Sequence, residues 1–391
     1  MRGREFRENR WLKGLNPVDL ETCNASSSFL QSGFWGSFKA RFGWNARSFE
    51  ALWENGKNDQ DGESTAVRIP LLVIRRRLLP GISFAYVPWG PELPGNFPPD
   101  PAARNTALTE LAESLKAYLP VNTAFIRFDP PWFSEGAGTP PPELYSPFVH
   151  AAADIQAPDT VLINLEGTMD AVLSKMKTKW RYNARLALKR GIVIRQKDEE
   201  GLDNFYSLLK ETSKRDGISI HSIDYYKALF SHYRDYMSNT NRTEASLAPV
   251  IRLYLAEYER LPLAGIIVLF RGREAVYLYG ASSNAKRNMM ASYALQVRAM
   301  TDARDAGCLE YDLFGIPPNE DAAHPMAGLY RFKTGFGGRI IHRPGSWDYA
   351  YRPLTMKVFS FLESLRKKQR DFKKKKLAEN LVQSPGNPEE T

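Results

Sequence analysis

Nine lysine and arginine residues lie between residues 171 and 197, a stretch that contains no acidic residue. They are Lys175, Lys177, Lys179, Arg181, Arg185, Lys189, Arg190, Arg195 and Lys197. A solvated helix face usually mixes both signs, because opposite charges three or four residues apart stabilise a helix. A cluster of positive charges without acidic residues instead attracts partners rich in phosphate, such as nucleic acids. We therefore expect a phosphate-binding surface here.

A helix from Met169 to Arg190 is predicted to carry this surface. Thr168 precedes it at the N-cap position, and Gly191 follows it where a C′ residue belongs. At about 100° per residue, most of the cations fall in one arc and a largely apolar set falls in the opposite arc. The second set comprises Val172, Leu173, Met176, Trp180, Asn183, Ala184 and Ala187.

A second basic segment, residues 366–376, contains eight cations and one acid. It follows an amphipathic stretch in which Leu354, Val358, Leu362 and Leu365 recur at helical spacing. Three roles fit such a segment: contact with an RNA backbone, contact with an anionic membrane, or a solvated tail. The chain after residue 381 has the composition of a disordered segment.

Composition favours a globular protein of a reducing compartment. The 391 residues are 43% hydrophobic and 25% charged, with a formal net charge of +9. Cys23 and Cys308 are too few for a disulfide framework. The longest apolar run, residues 261–270, is too short to span a bilayer. We expect a cytoplasmic protein, which the basic segment could hold at the inner face of the membrane.

Several reaction classes lack the residues that they need. The five histidines are scattered, and no cysteine–histidine spacing suits zinc. The chain has no phosphate-binding loop of the GxxxxGK[ST] type, no GxGxxG fingerprint and no GxSxG nucleophile elbow. We therefore predict neither a metal nor a cofactor. A group transfer that depends on positioning and electrostatics remains possible without a protein nucleophile.

Alternating helix-like and strand-like patterns predict an α/β chain of two comparable halves. In the first half, residues 66–79, 82–87 and 123–128 favour strands and residues 105–118 a helix. In the second half, helices at 202–214, 223–237 and 291–306 alternate with strands at 192–194, 248–255, 263–270, 275–280 and 309–313.

Several short motifs follow one another in a fixed order along the chain. The most specific lie in the second half of the chain: Tyr-Leu-Tyr-Gly-Ala-Ser-Ser at 277–283, Glu-Tyr-Asp-Leu-Phe-Gly-Ile at 310–316, Gly-Leu-Tyr-Arg-Phe-Lys-Thr-Gly-Phe-Gly-Gly at 328–338 and Gly-Ser-Trp-Asp-Tyr at 345–349. Others are Phe-Leu-Gln-Ser at 29–32, Tyr-Val-Pro-Trp-Gly-Pro at 86–91 and Lys-Trp-Arg-Tyr-Asn at 179–183. In this order and spacing, the set closely resembles the Fem family of peptidoglycan-bridge aminoacyltransferases, in which an arginine is common at the position of Trp89. The resemblance covers roughly residues 20–355.

The resemblance implies an α+β fold of two tandem acetyltransferase-like (GNAT) domains. The expected limits are 1–157 for the first domain, with residues 345–380 returning to it, and 158–344 for the second, followed by a disordered tail at 381–391. It also implies transfer of an amino acid from aminoacyl-tRNA to the stem-peptide side-chain amine of UDP-MurNAc-pentapeptide or lipid II. No sustained heptad pattern is present, so the chain resembles members without the coiled-coil arm.

The same resemblance assigns catalytic roles to three residues. Lys333 resembles a lysine close to the tRNA terminus and to the oxyanion that forms there. Phe332 could stack on the terminal base or ribose, or pack in the core. Asp129 matches an aspartate near the acceptor amine, and a structural turn residue is the alternative.

Further residues are expected to hold the two substrates. Lys39, Arg215 and Tyr279 match positions that contact the cell-wall precursor. For tRNA the expected contacts are Lys175, Lys179, Arg181, Arg185 and Lys189.

Two other functions remain open. An acyl-CoA-dependent N-acyltransferase would keep the fold and change the donor, although no glycine-rich loop suited to the CoA pyrophosphate is visible. A non-catalytic RNA-binding protein would use the basic helix at 171–197 and would not need Lys333.

Overall fold

The computed structural model describes residues 10–57, 64–239 and 248–383 of the chain. The strands are β1 (Leu12–Val18), β2 (Trp44–Lys57), β3 (Ser64–Leu79), β4 (Ile82–Val87), β5 (Thr123–Phe128), β6 (Ser134–Glu135), β7 (Phe148–His150), β8 (Asp159–Asn164), β9 (Val193–Lys197), β10 (Val250–Tyr258), β11 (Leu261–Arg271), β12 (Glu274–Ser282), β13 (Glu310–Asp312), β14 (Arg339–His342) and β15 (Trp347–Ala350). The α-helices are α1 (Gly33–Ala40), α2 (Pro101–Lys116), α3 (Met169–Ser174), α4 (Thr178–Lys189), α5 (Leu202–Asp216), α6 (Ile223–Asn239), α7 (Ala291–Asp305), α8 (Ala327–Thr334) and α9 (Pro353–Gln383).

These elements form two compact units. Among the described residues, one unit consists of 10–57, 64–134, 139–158 and 342–364, and the other of 135–138, 159–239, 248–341 and 365–383. Within the described residues, no helix combines the length and the apolar character needed to cross a membrane. Helix α9 extends to Gln383, and residues 384–391 of the expected disordered tail lie outside the described part of the chain.

The first unit is built on a seven-stranded sheet with the order β1-β2-β3-β4-β5-β15-β7. Residues 71–74 of β3 are all at most 1% exposed, as expected for a strand whose two faces are both covered. Asp100 caps α2 by accepting a hydrogen bond from the Ala103 N–H. Residues Leu108, Leu111 and Leu115, on one face of that helix, are fully buried against the sheet.

A C-terminal segment of the chain, His342–Ser364, belongs to this unit and adds a strand to its sheet. Strand β15 lies between β5 and β7 and runs antiparallel to both. Arg127 of β5 fixes the returning segment: its guanidinium donates to Asp348 of β15 at 2.7 and 2.8 Å and to Glu363 of α9 at 2.9 and 3.1 Å. The Arg127 and Asp348 side chains are 2% and 1% exposed, so this is a buried ion cluster.

Arg127→Met is expected to lower the free energy of unfolding by about 3–5 kcal/mol, because it leaves the Asp348 and Glu363 carboxylates without their cation. Chemical denaturation measures this loss. Neutralising all three residues together (Arg127→Met, Asp348→Asn, Glu363→Gln) should recover part of the stability. A loss below about 1 kcal/mol for the single variant would show that the cluster behaves like a solvated surface pair.

The second unit contains an eight-stranded sheet with the order β6-β14-β8-β13-β12-β11-β10-β9. Its centre is apolar: residues Ile267, Val268 and Leu269 of β11 are fully buried. Helix α7 packs on this core through Leu295, Ala299 and other residues of the same face. Both sheets also contain a pair of adjacent parallel strands, β4 with β5 in the first and β12 with β13 in the second.

The prediction of one continuous helix at residues 169–190 is wrong, because the structure has two helices there. The expected ends are nevertheless present. The Thr168 side chain accepts a hydrogen bond from the Ala171 N–H at 3.2 Å, and Gly191 has a φ of +88°. The predicted inner face is also confirmed, since Val172 and Ala187 are at most 1% exposed.

The break between α3 and α4 has a tertiary cause. The Lys177 N–H donates to the Gly335 carbonyl oxygen at 2.9 Å instead of to a carbonyl within its own helix. The intrahelical bond that would join the two helices is therefore replaced by a bond to a loop more than 150 residues further along the chain. Local helix propensity is overridden by this contact.

Candidate active site

Lys333 lies in the last turn of α8 and is only 6% exposed. Its Nζ donates to the Gly315 carbonyl at 2.9 Å and to the Phe314 carbonyl at 3.2 Å. The same Nζ lies 5.2 Å from the centre of the Tyr277 ring. Two carbonyl oxygens and an aromatic face therefore hold the lysine in one position.

The turn after β13 presents these two carbonyls. The Asp312 carboxylate, at the end of that strand, accepts a hydrogen bond from the Phe314 N–H at 2.7 Å and another from the Thr160 hydroxyl. Phe314 has a φ of +58°, a conformation that residues other than glycine rarely adopt. Such backbone strain persists where the surroundings fix it, and it is concentrated at functional sites.

Burial lowers the pKa of Lys333 from its usual 10.5 to about 7, and the negative charge of Asp312 acts in the opposite direction. An amine with this pKa can hold or release a proton near neutral pH. When protonated, it is a compact positive charge in a water-poor environment. Such a charge stabilises an oxyanion more strongly than a solvated lysine would.

The glycine-rich turn at residues 335–338 joins Lys333 to the basic helices. A Cβ atom at Gly335 would lie 2.2 Å from the Trp180 side chain, and one at Gly337 would lie 2.1 Å from the Lys175 backbone oxygen. The Trp180 indole N–H also donates to the Phe332 carbonyl at 2.8 Å. The end of α8 and the junction of α3 with α4 are thus packed backbone against backbone.

Gly337→Ala is expected to lower the free energy of unfolding by about 2 kcal/mol or more, because the new Cβ meets a backbone oxygen and the φ of +83° disfavours alanine. Gly167→Ala is the matched control. Its φ is +84° but the space around it is open, so it should cost only about 1 kcal/mol. Thermal or chemical denaturation of both variants measures the difference, and equal losses would contradict the close packing.

Phe332 contributes both its backbone and its ring to this region. Its ring lies 5.1 Å from the Phe336 ring and 5.3 Å from the Tyr293 ring, measured between centroids. The side chain is half-buried, so part of the ring is accessible beside Lys333. A role in stacking on a nucleotide stays a prediction.

Four of the five cations expected to contact tRNA are exposed: Lys175, Lys179, Arg185 and Lys189. Arg181 differs, because it is half-buried and its guanidinium donates to the Ser174 carbonyl at 3.2 Å and to the Leu173 carbonyl at 3.4 Å. It therefore satisfies the last carbonyls of α3. Contact of the four exposed cations with tRNA phosphates stays a prediction.

A β-bulge separates two tyrosines of the motif at 277–283. Tyr277 and Tyr279 pair with adjacent residues of β11, so Leu278 is an extra residue. Because adjacent residues of a strand face opposite sides of the sheet, the bulge turns the two tyrosines to opposite faces. Tyr277 lies against Lys333, whereas the Tyr279 hydroxyl lies 3.2 Å from the Tyr225 hydroxyl.

Tyr225, at the start of α6, was not singled out by the sequence. Its ring stacks on His221 with 3.9 Å between centroids. Burial raises the pKa of Tyr225 to about 12, so its hydroxyl stays protonated and can donate. In the sequence, its only distinguishing feature is that it forms a pair with Tyr226 four residues after His221.

Arg215 of α5 donates several hydrogen bonds to residues of the second unit. Its guanidinium donates to the Ser282 carbonyl at 2.9 Å, to the Asn284 side-chain oxygen at 3.0 Å and to the Asp216 carboxylate at 2.8 and 3.1 Å. The bonds to Ser282 and Asn284 hold the end of α5 to the last residue of β12 and to the segment that follows it. The predicted contact of Arg215 with the precursor is not among them and stays a prediction.

In the first unit, Asp129 follows β5 at the end that it shares with the parallel strand β4. Its carboxylate accepts hydrogen bonds from the hydroxyls of Tyr86 and Ser346, and the Gly90 N–H donates to its backbone oxygen at 2.9 Å. Asp129 is 4% exposed. The motifs at 86–91 and 345–349 therefore meet at this carboxylate.

Burial raises the pKa of Asp129 from 3.8 to about 6, although the hydrogen bonds from Ser346 and Tyr86 act to lower it. A carboxylate with this pKa is mostly ionised at pH 7 yet basic enough to accept a proton. Nearby, the Arg343 guanidinium lies 4.1 Å from the centre of the Trp89 ring. A positive charge is thus present beside Trp89, where the family motif commonly has an arginine.

Lys39 of α1 is half-buried among aromatic residues of the first unit. Its Nζ lies 5.4 Å from the Trp35 ring centre and 6.0 Å from the Trp44 ring centre. Burial, together with the positive charge of Arg76, lowers the pKa of Lys39 to about 8. Its expected contact with the precursor is compatible with this location and stays a prediction.

Known proteins resemble this chain in both sequence and fold. The model of the FemAB family matches residues 145–240 and 236–364. The crystal structure of FemX is similar to this chain with a TM-score of 0.67 and 19% sequence identity, over 89% of this chain and 100% of that one. This likeness confirms the fold class predicted from the sequence.

Two relatives in staphylococci carry the name Lipid II:glycine glycyltransferase. The one from Staphylococcus saprophyticus is 24% identical in an alignment 263 residues long, which covers 55% of this chain and 63% of the relative. The one from Staphylococcus aureus strain USA300 is 24% identical over 266 residues, covering 54% and 62%. The matched region thus spans about six tenths of these relatives. Because the family model covers more than half of the sequence, the chain belongs to the FemAB family.

Proposed function

We propose that this protein transfers an amino acid from aminoacyl-tRNA to the stem-peptide side-chain amine of a peptidoglycan precursor. Membership of the FemAB family supports the reaction class, and the names of the staphylococcal relatives support lipid II as the kind of acceptor. UDP-MurNAc-pentapeptide is the alternative acceptor. The location expected for such an enzyme is the cytoplasm, with the basic segment 366–376 in contact with an anionic membrane.

One observation supports tRNA as the donor more than any other. The exposed Lys175, and the start of α4 that leads to the exposed Lys179, Arg185 and Lys189, pack against the turn following Lys333. A tRNA acceptor stem bound on these cations would therefore lie on an element that packs against the end of α8, the helix that carries the lysine. Phosphate contacts would provide affinity, and Lys333 would act at the ester that ends the tRNA.

The chemistry needs no protein nucleophile, because the ester of an aminoacyl-tRNA is already activated. The acceptor amine attacks the ester carbonyl, and the carbonyl oxygen becomes an oxyanion that protonated Lys333 stabilises. Collapse of this intermediate forms the amide and breaks the ester bond; the leaving ribose oxygen takes a proton from Lys333, which solvent restores, while the attacking amine loses one proton. Asp129 is proposed to accept that proton.

The donor is tested by incubating the protein with an acceptor pentapeptide and a pool of tRNA charged with labelled amino acids. Label should move to the acceptor, and ribonuclease should abolish the transfer. Labelled acyl-CoA in place of the charged tRNA should give no product. Transfer from acyl-CoA, or salt-sensitive tRNA binding without any transfer, would contradict the proposal in favour of an N-acyltransferase or an RNA-binding protein.

The rate of transfer should first rise and then fall as the pH increases, and both changes should occur close to neutral pH. Asp129 must be ionised to accept a proton, so kcat should rise as the pH increases through about 6. Lys333 must be protonated to stabilise the oxyanion, so kcat should fall as the pH increases through about 7. Steady-state rates at saturating acceptor measure this profile. Asp129→Asn should remove the acidic limb, and a profile unchanged by that substitution would contradict the role of Asp129.

A further inference from the structure

Helix α9 is held to the first unit by one face only. Met356 is 6% exposed, the Phe359 ring lies 5.2 Å from the Phe125 ring, and Glu363 accepts hydrogen bonds from Arg127. These residues recur at i, i+3 and i+7, which is one side of a helix. The orientation of α9 about its own axis is therefore fixed.

The opposite face carries a row of exposed large apolar side chains. They are Leu354, Val358, Phe361, Leu362, Leu365 and Phe372. The spacing from the first of them is 4, 7, 8, 11 and 18 residues, so they form one stripe, about 27 Å long at 1.5 Å per residue. Leu354, Phe361 and Phe372 are 80%, 63% and 69% exposed. Scattered exposed apolar residues are ordinary, but a continuous stripe marks an interaction surface.

Positive charge borders this stripe. At 100° per residue, the exposed Lys357 and Lys368 lie on one side of it and the exposed Arg366 lies on the other. The sequence of residues 366–376 adds further cations, eight in total against one acid. An apolar stripe with basic flanks is the pattern of a helix that lies in a membrane interface.

We infer that the outer face of α9 binds the surface of an anionic phospholipid bilayer, with the apolar stripe in the acyl-chain boundary and the flanking cations among the headgroups. The helix lies in the plane of the membrane, because its exposed apolar side chains run along one side of it. Long basic side chains beside the stripe can reach the phosphates while their stems stay in apolar surroundings. Bound in this way, the protein would meet a lipid-linked acceptor at the surface that contains it.

Charge favours a bilayer over the two other partners of such a face. A second copy of this chain would bring two sets of flanking cations together, which opposes pairing. An RNA would satisfy the cations but would leave the apolar stripe without a partner. Anionic lipid satisfies both features, because its headgroups carry negative charge and its acyl chains accept apolar side chains.

Sedimentation with vesicles tests this inference on the full chain, without tRNA or acceptor, so the outcome is independent of aminoacyl transfer. The vesicles contain phosphatidylcholine alone or with about 30 mol% phosphatidylglycerol. The stripe variant is Leu354→Gln/Phe361→Gln/Leu365→Gln, and the basic variant is Arg366→Gln/Lys367→Gln/Lys368→Gln. The control removes three exposed apolar residues elsewhere on the first unit, as Leu79→Gln/Val121→Gln/Val149→Gln.

The wild type and the control should bind the anionic vesicles and bind the neutral ones much more weakly. The stripe variant should bind the anionic vesicles at least about tenfold more weakly, and the basic variant about a hundredfold more weakly at low salt. Wild-type protein that does not bind, or binding that survives the stripe substitutions, overturns the inference. The inference is also overturned if light scattering shows a dimeric wild type and a monomeric stripe variant, because the stripe would then be the interface between two copies of this chain.

Discussion

Lys333→Met is expected to lower the rate of aminoacyl transfer by about a hundredfold to a thousandfold, the effect of removing one preorganised group that stabilises an oxyanion. The structure gives this lysine what the role requires: a fixed position between two carbonyls, and surroundings with little water. The measurement is kcat for transfer from charged tRNA, with thermal unfolding of the variant recorded alongside.

Lys214→Met is the matched control, since Lys214 is an exposed lysine in the same unit. It should transfer at the wild-type rate. The affinity of the Lys333 variant for tRNA should change little, because Lys175 and the exposed cations of α4 are proposed to provide most of the phosphate contacts. If the Lys333 variant keeps more than about one tenth of the wild-type rate while folded, the lysine does not stabilise the oxyanion.

Replacing Lys175, Lys179, Arg185 and Lys189 by glutamine is expected to weaken tRNA binding on the order of a hundredfold at low salt. Lys179, Arg185 and Lys189 are exposed on α4, and Lys175 is exposed at the end of α3. Removing a cation that neutralises one phosphate should lower the salt slope of log K by about 0.7–0.9. The slope should therefore fall by roughly three for the fourfold variant. Binding isotherms at several salt concentrations measure both quantities.

The control for this variant removes the same charge elsewhere. Arg68, Lys116, Lys214 and Arg352 are exposed and lie outside α3 and α4. Glutamine at these four positions should change tRNA affinity only slightly. Equal weakening by the two variants would show that tRNA responds to the net charge of the protein and not to a defined surface.

Local patterns were sufficient to predict several elements of the fold. Strands β4 and β5 lie where their short apolar runs, bounded by turn residues, predicted them. The ends of the basic helix were also predictable, because Thr168 and Gly191 have side-chain and backbone requirements that are visible in sequence. In each case the signal lies within a few residues of the feature.

The break at residues 175–177 was not predictable in this way, because its cause is the turn at 335–338. The ion cluster of Arg127 likewise depends on partners more than 200 residues away. For the site, sequence motifs pointed to Lys333, but its carbonyl partners depend on the positive φ of Phe314. Nor can sequence show the bulge that turns Tyr277 and Tyr279 to opposite faces.

The most direct test of aminoacyl transfer is the mass of the acceptor after reaction. Lipid II, or UDP-MurNAc-pentapeptide in a parallel reaction, is incubated with the protein and a charged tRNA pool, and the product is fragmented in a mass spectrometer. We predict a mass gain of one or more amino-acid residues, located at the side-chain amine of the stem peptide and absent after ribonuclease treatment. An unchanged mass for both acceptors, with protein that is folded and binds tRNA, would contradict the proposed function.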